Sequence, residues 1–250
     1  MKEVLLVTGS SGIAAATARL WAAENPVFVV GINPEECRSL ATELREASFA
    51  EADVRDESAL RNAVAACIDR FGRIDALCNV AGISARSAGD GPLHECKSAG
   101  WDLAMDVNAK GTFLMCREVL GLWTKNTQAG AILNCGSVLA RHPQGDHFPT
   151  VGYAASKGAI EAMSVSAAAY YAPRGIRINV IAPGLVRTAM SARAQANPRI
   201  TEYMIHKQPL TKGMLSAEDV AKTACFLLHS DSYPITGQIV TVDGGWAVSD

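Results

Sequence analysis

Tyr153 and Lys157 stand four residues apart in Tyr153-Ala-Ala-Ser-Lys157. On a helix that spacing puts both side chains on one face and within reach of each other. A phenol titrates at about pH 10 in water, too high for proton transfer near neutrality. A neighbouring ammonium favours the phenolate and makes it a usable acid/base. Ser137, just beyond the strand expected over Ala131–Cys135, is placed to hold a substrate oxygen beside such a phenol. Spacing alone does not single out this pair, because Tyr203 and Lys207 share it. Context separates them. Tyr153 follows a strand that leads into a serine and precedes a strand ending Asn179-Val-Ile-Ala-Pro-Gly184, whereas Tyr203 lies in a polar, Pro-flanked stretch.

A second constellation lies at the start of the chain. The apolar run Val4–Val7 stops at Thr8-Gly9, and Gly9-x-x-Gly12-x-x-Ala15 opens a segment of small residues that reads as a helix. Glycines there let the backbone approach a pyrophosphate, and a helix N-terminus presents free N–H groups and a positive dipole end. Asp53, at the end of a short strand over 48–53, is a candidate acceptor for an adenine amino group and equally a helix cap. Asn79-Val80-Ala81-Gly82 ends another strand. Asn108 falls within a long helix expected over 101–125, where asparagine is not a favoured residue.

The elements that must carry these groups alternate strand and helix along the whole chain, with no linker, repeat or low-complexity tract. That pattern predicts one α/β domain over 1–250, with an open parallel sheet wrapped by helices. Ligands of such sheets bind beyond the carboxyl ends of the strands, where every motif above falls. The stretch 185–213 reads as irregular and polar, a covering segment over the substrate. It mixes Met190, Met204 and Leu210 with Arg187, Arg193, Arg199 and His206, which suits either a polyol-like or a carboxylate-bearing substrate. The loop 138–152 offers His142 and His147 as polar substrate contacts, and its His142, Asp146 and His147 are expected to face water rather than bind a metal.

Composition narrows the partners. Lys and Arg total 23 against 25 Asp and Glu, a net charge of −2 without a basic cluster, so nucleic acid and membrane surfaces are poor partners. No apolar run reaches the ~18 residues that span a bilayer, and the N-terminus runs straight into a strand instead of a signal sequence. Seven scattered cysteines without Cys-x-x-Cys suit a reducing, cytoplasmic setting.

In this order, Asn79-Val-Ala-Gly82, Asp106-Val-Asn108, Ser137, Tyr153-Ala-Ala-Ser-Lys157 and Pro183-Gly184 with Thr188 beyond resemble the short-chain dehydrogenase/reductase family, over nearly the whole chain. The resemblance implies a doubly wound, Rossmann-type sheet of about seven parallel strands flanked by helices, and hydride transfer between a nicotinamide cofactor and a ketone or secondary alcohol, as in an alcohol dehydrogenase or carbonyl reductase. Tyr153 would be the acid/base, Lys157 would favour its phenolate and bind the nicotinamide ribose, and Ser137 would hold the substrate oxygen. Asn108 would anchor a water path that reloads the proton. The implied cofactor contacts are Gly9, Ser11, Gly12, Ile13, Asn33, Asp53, Val54, Asn79, Ala81 and Gly82. Tyr153, Lys157, Pro183, Gly184, Val186 and Thr188 complete them. Self-association as dimer or tetramer is common among such proteins. This chain departs from the family pattern in a glycine turn one residue shorter than usual, with Ala14 in the place of the last glycine, and in Val80. A catalytically silent dinucleotide-binding regulator and an epimerase or lyase on the same fold are the alternative readings.

The cofactor type turns on the end of the second strand, Val29-Val30-Gly31-Ile32-Asn33. A carboxylate there usually marks NAD, but Gly31 holds the matching position, and Ile32 supplies no cation for a 2′-phosphate. The nearest charges are Glu35 and Glu36, with Arg38 and Arg55 further off. Two glutamates disfavour a phosphate, while Asn33 or water can accept a ribose hydroxyl proton, so the pattern favours NAD over NADP.

Overall fold

The computed structural model describes residues 2–249. Seven strands form one sheet in the order β3-β2-β1-β4-β5-β6-β7. They are β1 Leu5–Thr8, β2 Val27–Gly31, β3 Ala47–Glu51, β4 Ala76–Asn79, β5 Gly130–Cys135, β6 Ile176–Pro183 and β7 Ile239–Val242. Every neighbouring pair is parallel. The chain winds outward from β1 to β3, returns to β4 beside β1, and then proceeds the other way. That reversal opens a crevice at the carboxyl ends of β1 and β4.

Strand periodicity sorts the core into two layers. Leu5, Val7, Val27 and Val29 pack with helices α1 (Gly12–Trp21), α2 (Pro34–Glu43) and α9 (Ala217–Leu228). Val4, Leu6, Phe28 and Val30 face the other layer, built on α3 (Glu57–Phe71), α5 (Gly111–Asn126) and α6 (Val151–Tyr171). Among the described residues no helix is long and apolar enough to cross a membrane.

Two stretches depart from the sequence reading. The helix expected over 101–125 is broken into α4 (Ser98–Ala104), a π-helical turn (Met105–Lys110) and α5. The turn carries Asn108, so the poor helix former marks the site of the irregularity. The covering segment is also largely helical, with α7 (Ala192–Gln195) and α8 (Pro198–Lys207). Asn197 caps α8, accepting the Arg199 N–H, and Pro198 occupies its first turn. Ala194, Ile200 and Met204 pack with Val138, Phe148 and Trp246 as a small separate core that holds the segment down.

Arg177 of β6 shows how this fold handles a buried guanidinium. It donates to the carbonyls of Leu227 (2.8 Å), Leu228 (3.1 Å) and His229 (2.9 Å) and to Ser232 Oγ (2.7 Å). The cation thus closes the carbonyl end of α9, where charge and dipole agree. Arg177→Met removes this clamp from the buried end of α9, although Ser232 still donates to the Leu227 and His229 carbonyls, and is expected to cost on the order of 3 kcal/mol in urea unfolding. Wild-type stability in that variant would mean the clamp contributes nothing.

Candidate active site

The carboxyl ends of the strands open into a cavity of about 990 Å³, near the top of the ~300–1,000 Å³ range of small-molecule and cofactor sites. Gly9, Ser11, Gly12 and Ile13 line one end. Ser11 caps α1 by position but makes no side-chain bond to it, so first-turn N–H groups are left for an anion. Gly12 has a left-handed φ of +55°, and a Cβ there would stand 3.0 Å from Thr188 Cγ2. A glycine is therefore required where the turn faces Thr188. These features fit the pyrophosphate of a dinucleotide, even with the shortened turn.

Asn33, Asp53 and Val54 line the wall beyond β2 and β3, and Ala81 and Gly82 the wall beyond β4. Pro183, Gly184, Val186 and Thr188 line the wall beyond β6. Asn33 is not free to accept a ribose proton, because its Oδ1 takes the N–H groups of Glu35 (3.1 Å) and Glu36 (3.2 Å) as the cap of α2. Asp53 is forked by Arg55, with Oδ2 2.5 Å from Nη2, and this bond holds its carboxyl below the usual range. Asn79 lies off the wall. It is buried, its Nδ2 donating to Asn134 Oδ1 (2.9 Å), and Asn134 Nδ2 donates on to Ser164 Oγ (2.9 Å). This chain ties β4 and β5 to α6, so Asn79 holds the frame rather than a ligand.

Ser137, Tyr153 and Lys157 line the far end. Lys157 is buried, its Nζ 2.7 Å from the Cys135 carbonyl and 5.6 Å from the Tyr153 ring centroid. Burial raises the Cys135 thiol pKa, and the Lys157 charge partly offsets this. Ser137 Oγ accepts the Leu139 N–H at 3.2 Å; among the described residues no acceptor takes its own proton. A Cβ on Gly82 would stand 2.9 Å from Asn108 Oδ1 and 3.6 Å from Lys157 Nζ, so only bare backbone fits between them.

Asn108 is wholly buried, and its side chain is committed to protein. Oδ1 accepts the Ile83 N–H (2.8 Å), while Nδ2 donates to the Ile83 carbonyl and Ser156 Oγ (both 3.0 Å). Through these bonds it clamps the segment after Gly82 against α6. Tyr203 lies outside the cavity lining. Burial raises its pKa, and a bond from Gln144 only partly counters that, so it lacks what a general acid/base needs. From the loop 138–152 the wall takes Val138, Leu139, Phe148 and Thr150. Neither histidine of that loop reaches it: His147 packs on Tyr203, its ring centroid 4.9 Å away, and the His142 carbonyl accepts the Trp246 indole N–H at 3.0 Å.

Glu36 is one of the nearest charges that the sequence places at the end of β2, whereas Arg86 and Asp90 carry no local signal. Glu36 lines the cavity from the first turn of α2 and accepts the Ser10 hydroxyl at 2.9 Å. Arg86 lines the substrate end. Asp90 is buried behind it and caps α6 from sixty residues away. It accepts the Gly152 N–H (2.8 Å), the Tyr153 N–H (2.9 Å) and the Thr150 hydroxyl.

Comparison with known proteins agrees over this whole architecture. A family model described as enoyl-(acyl carrier protein) reductase matches residues 7–247. The chain is 32% identical to 2,5-dichloro-2,5-cyclohexadiene-1,4-diol dehydrogenase of Sphingobium indicum, covering 99% of this chain and 96% of that one. It is 34% identical to cis-4-hydroxycyclohexanecarboxylate dehydrogenase of Sinomonas cyclohexanicum, covering 98% and 96%. The crystal structure of levodione reductase superposes with a TM-score of 0.87 at 30% identity, over 98% of this chain and 97% of that one. The chain belongs to the short-chain dehydrogenase/reductase family, whose members are NAD(P)-dependent oxidoreductases of alcohols and ketones.

Proposed function

We propose that this protein is a short-chain alcohol dehydrogenase or carbonyl reductase acting on secondary alcohols or ketones, with Tyr153 as its acid/base. The observation that carries the reading is the continuity of the cavity, which joins the glycine cradle at Gly12 to Ser137, Tyr153 and Lys157. When bound, the nicotinamide cofactor supplies or takes up the hydride. The chain's own residues handle the proton. Ser137 donates its free O–H to the substrate oxygen, and Tyr153 takes the alcohol proton as the ketone forms, or returns it in reduction. Lys157 sets the charge beside the phenol and would hold the ribose of a bound cofactor. Asn108 keeps Gly82 and α6 in register. Named relatives that act on ring alcohols favour a ring-bearing substrate. Phe113, Val165 and Tyr170, exposed on α5 and α6, suit self-association through those helices. Screening secondary alcohols and ketones at the absorbance of reduced nicotinamide tests the activity. If no alcohol or ketone gave turnover with either cofactor, the silent regulator would become the better reading.

Glu36 supports NAD as the cofactor. The carboxylate missing at Gly31 is supplied by the next helix, at the wall beside Ser10. A 2′-phosphate placed there meets like charge, and the nearby Arg55 is already paired with Asp53. We expect kcat/KM with NAD to exceed that with NADP by roughly tenfold or more, and Glu36→Gln to narrow the gap. A preference for NADP in the unaltered protein would overturn this assignment.

A further inference from the structure

Arg86 and Arg177 make a pair of opposites. Arg177 is a buried guanidinium whose donors end on carbonyls and a hydroxyl. Arg86 Nη2 is equally shut off from solvent, yet has no hydrogen-bond partner among the described residues. Folded proteins rarely leave a buried charged donor without an acceptor. Asp90, the acid that attracts Arg86, has both oxygens engaged by Thr150, Gly152 and Tyr153. Burial and the like charge of Arg193 depress the Arg86 pKa, although a guanidinium stays protonated.

The distribution of charge around the cavity gives direction to this gap. At the cofactor end the wall carries Glu36, Asp53 and Arg55; at the substrate end it carries Arg86, Lys157 and Arg193, and among the described residues no carboxylate. Arg193 donates to the His147 carbonyl at 3.0 Å, and neither it nor Arg86 forms an ion pair among the described residues. Backbone geometry adds a second, independent mark. Ala85, immediately before Arg86, takes a left-handed φ of +52° while buried. An alanine is strained there, and such strain gathers where a side chain must be aimed. Leu139, Phe148, Met190, Ala194 and Trp246 make much of the remaining wall of this end apolar, with the hydroxyl residues Ser84, Ser87, Thr150 and Ser191 also on the cavity lining.

We infer that the substrate is a hydroxy or oxo monocarboxylic acid with an apolar body, and that Arg86 receives its carboxylate while the reacting oxygen lies at Ser137 and Tyr153. The planar guanidinium fork matches a carboxylate, and a monoanion suits an apolar wall better than a phosphate dianion, which is costlier to desolvate. The inference rests on the dehydrogenase reading and refines its substrate.

The test uses matched pairs on the cofactor-saturated protein: 4-hydroxycyclohexanecarboxylate and 3-hydroxybutyrate, each against its methyl ester. The acids are expected to exceed the esters in kcat/KM by roughly tenfold or more. Arg86→Gln should bring that ratio toward one, and Arg86→Lys should keep part of it. A readout without turnover comes from cyclohexanecarboxylate against its uncharged amide, followed by tryptophan fluorescence in the presence of cofactor. The acid should bind more tightly in wild type and lose that advantage in Arg86→Gln. Neutral alcohols or esters oxidised as well as the acids, or the amide bound as tightly as the acid, would overturn the carboxylate and leave the dehydrogenase reading intact. Cyclohexyl phosphate bound more tightly than the carboxylate would overturn the class of anion. Tight binding of the acid without oxidation of any alcohol would spare the anion subsite and remove the dehydrogenase reading instead.

Discussion

Tyr153→Phe is expected to lower kcat by ~10²–10⁴-fold, the range for loss of a positioned acid/base. The substitution keeps the ring, and with it the packing of α6 and the approach of Lys157, whose Nζ stands 5.6 Å from the ring centroid. It removes one atom, the oxygen that exchanges the proton. Cofactor binding should change little, since the glycine cradle at Gly12 and the Pro183–Thr188 wall are untouched. Tyr203→Phe is the internal control. It has the same spacing to a lysine but lies off the cavity wall, with burial raising its pKa. Its kcat should stay within a few-fold of wild type. Comparable losses in the two variants would show that the proton passes elsewhere.

The parts of this site that could be read from the chain are those whose geometry is local. Tyr153 and Lys157 are set by one helical turn, and the glycine cradle by the junction of one strand with one helix. Ser137 and Pro183–Gly184 follow from the carboxyl ends of β5 and β6. The sheet was legible for the same reason, since each strand is a short apolar run between turn signals. Contacts made across the sheet had no such signal. Glu36 is legible as a charge near the end of β2, but its bond to Ser10 joins two different strand–helix junctions, and no property of the run 31–36 reports that neighbour. Asn79 looked like a ligand because it ends a strand, but Asn134 on the adjacent strand claims its amide. The covering segment read as irregular because its apolar residues have partners far away in sequence, Val138, Phe148 and Trp246. Its local marks, Asn197 and Pro198, were there to be used.

Asp90 is the clearest case of long-range positioning, and its loss should be felt twice. Thr150 takes the cap position of α6 but makes no side-chain bond to the helix. The acceptor comes instead from Asp90, which is 6% exposed and engages the Thr150 hydroxyl and the N–H groups of Gly152 and Tyr153. A negative charge at a helix N-terminus also complements the dipole. Asp90→Ala removes the cap and leaves buried donors without acceptors, an expected loss of about 2–4 kcal/mol in urea unfolding. Asp90→Asn keeps one acceptor oxygen and should fall between wild type and alanine. The second effect is on chemistry. The Tyr153 backbone is itself one of the tethered groups, and misplacing a reacting group by ~1 Å can cost ~10²-fold. A lower kcat with KM for the cofactor nearly unchanged is therefore expected in conditions where the variant is fully folded. That split separates positioning from mere stability, because general loosening would weaken cofactor binding as well. Asp90→Ala with wild-type kcat in the folded protein would show that α6 holds Tyr153 in place without this tether.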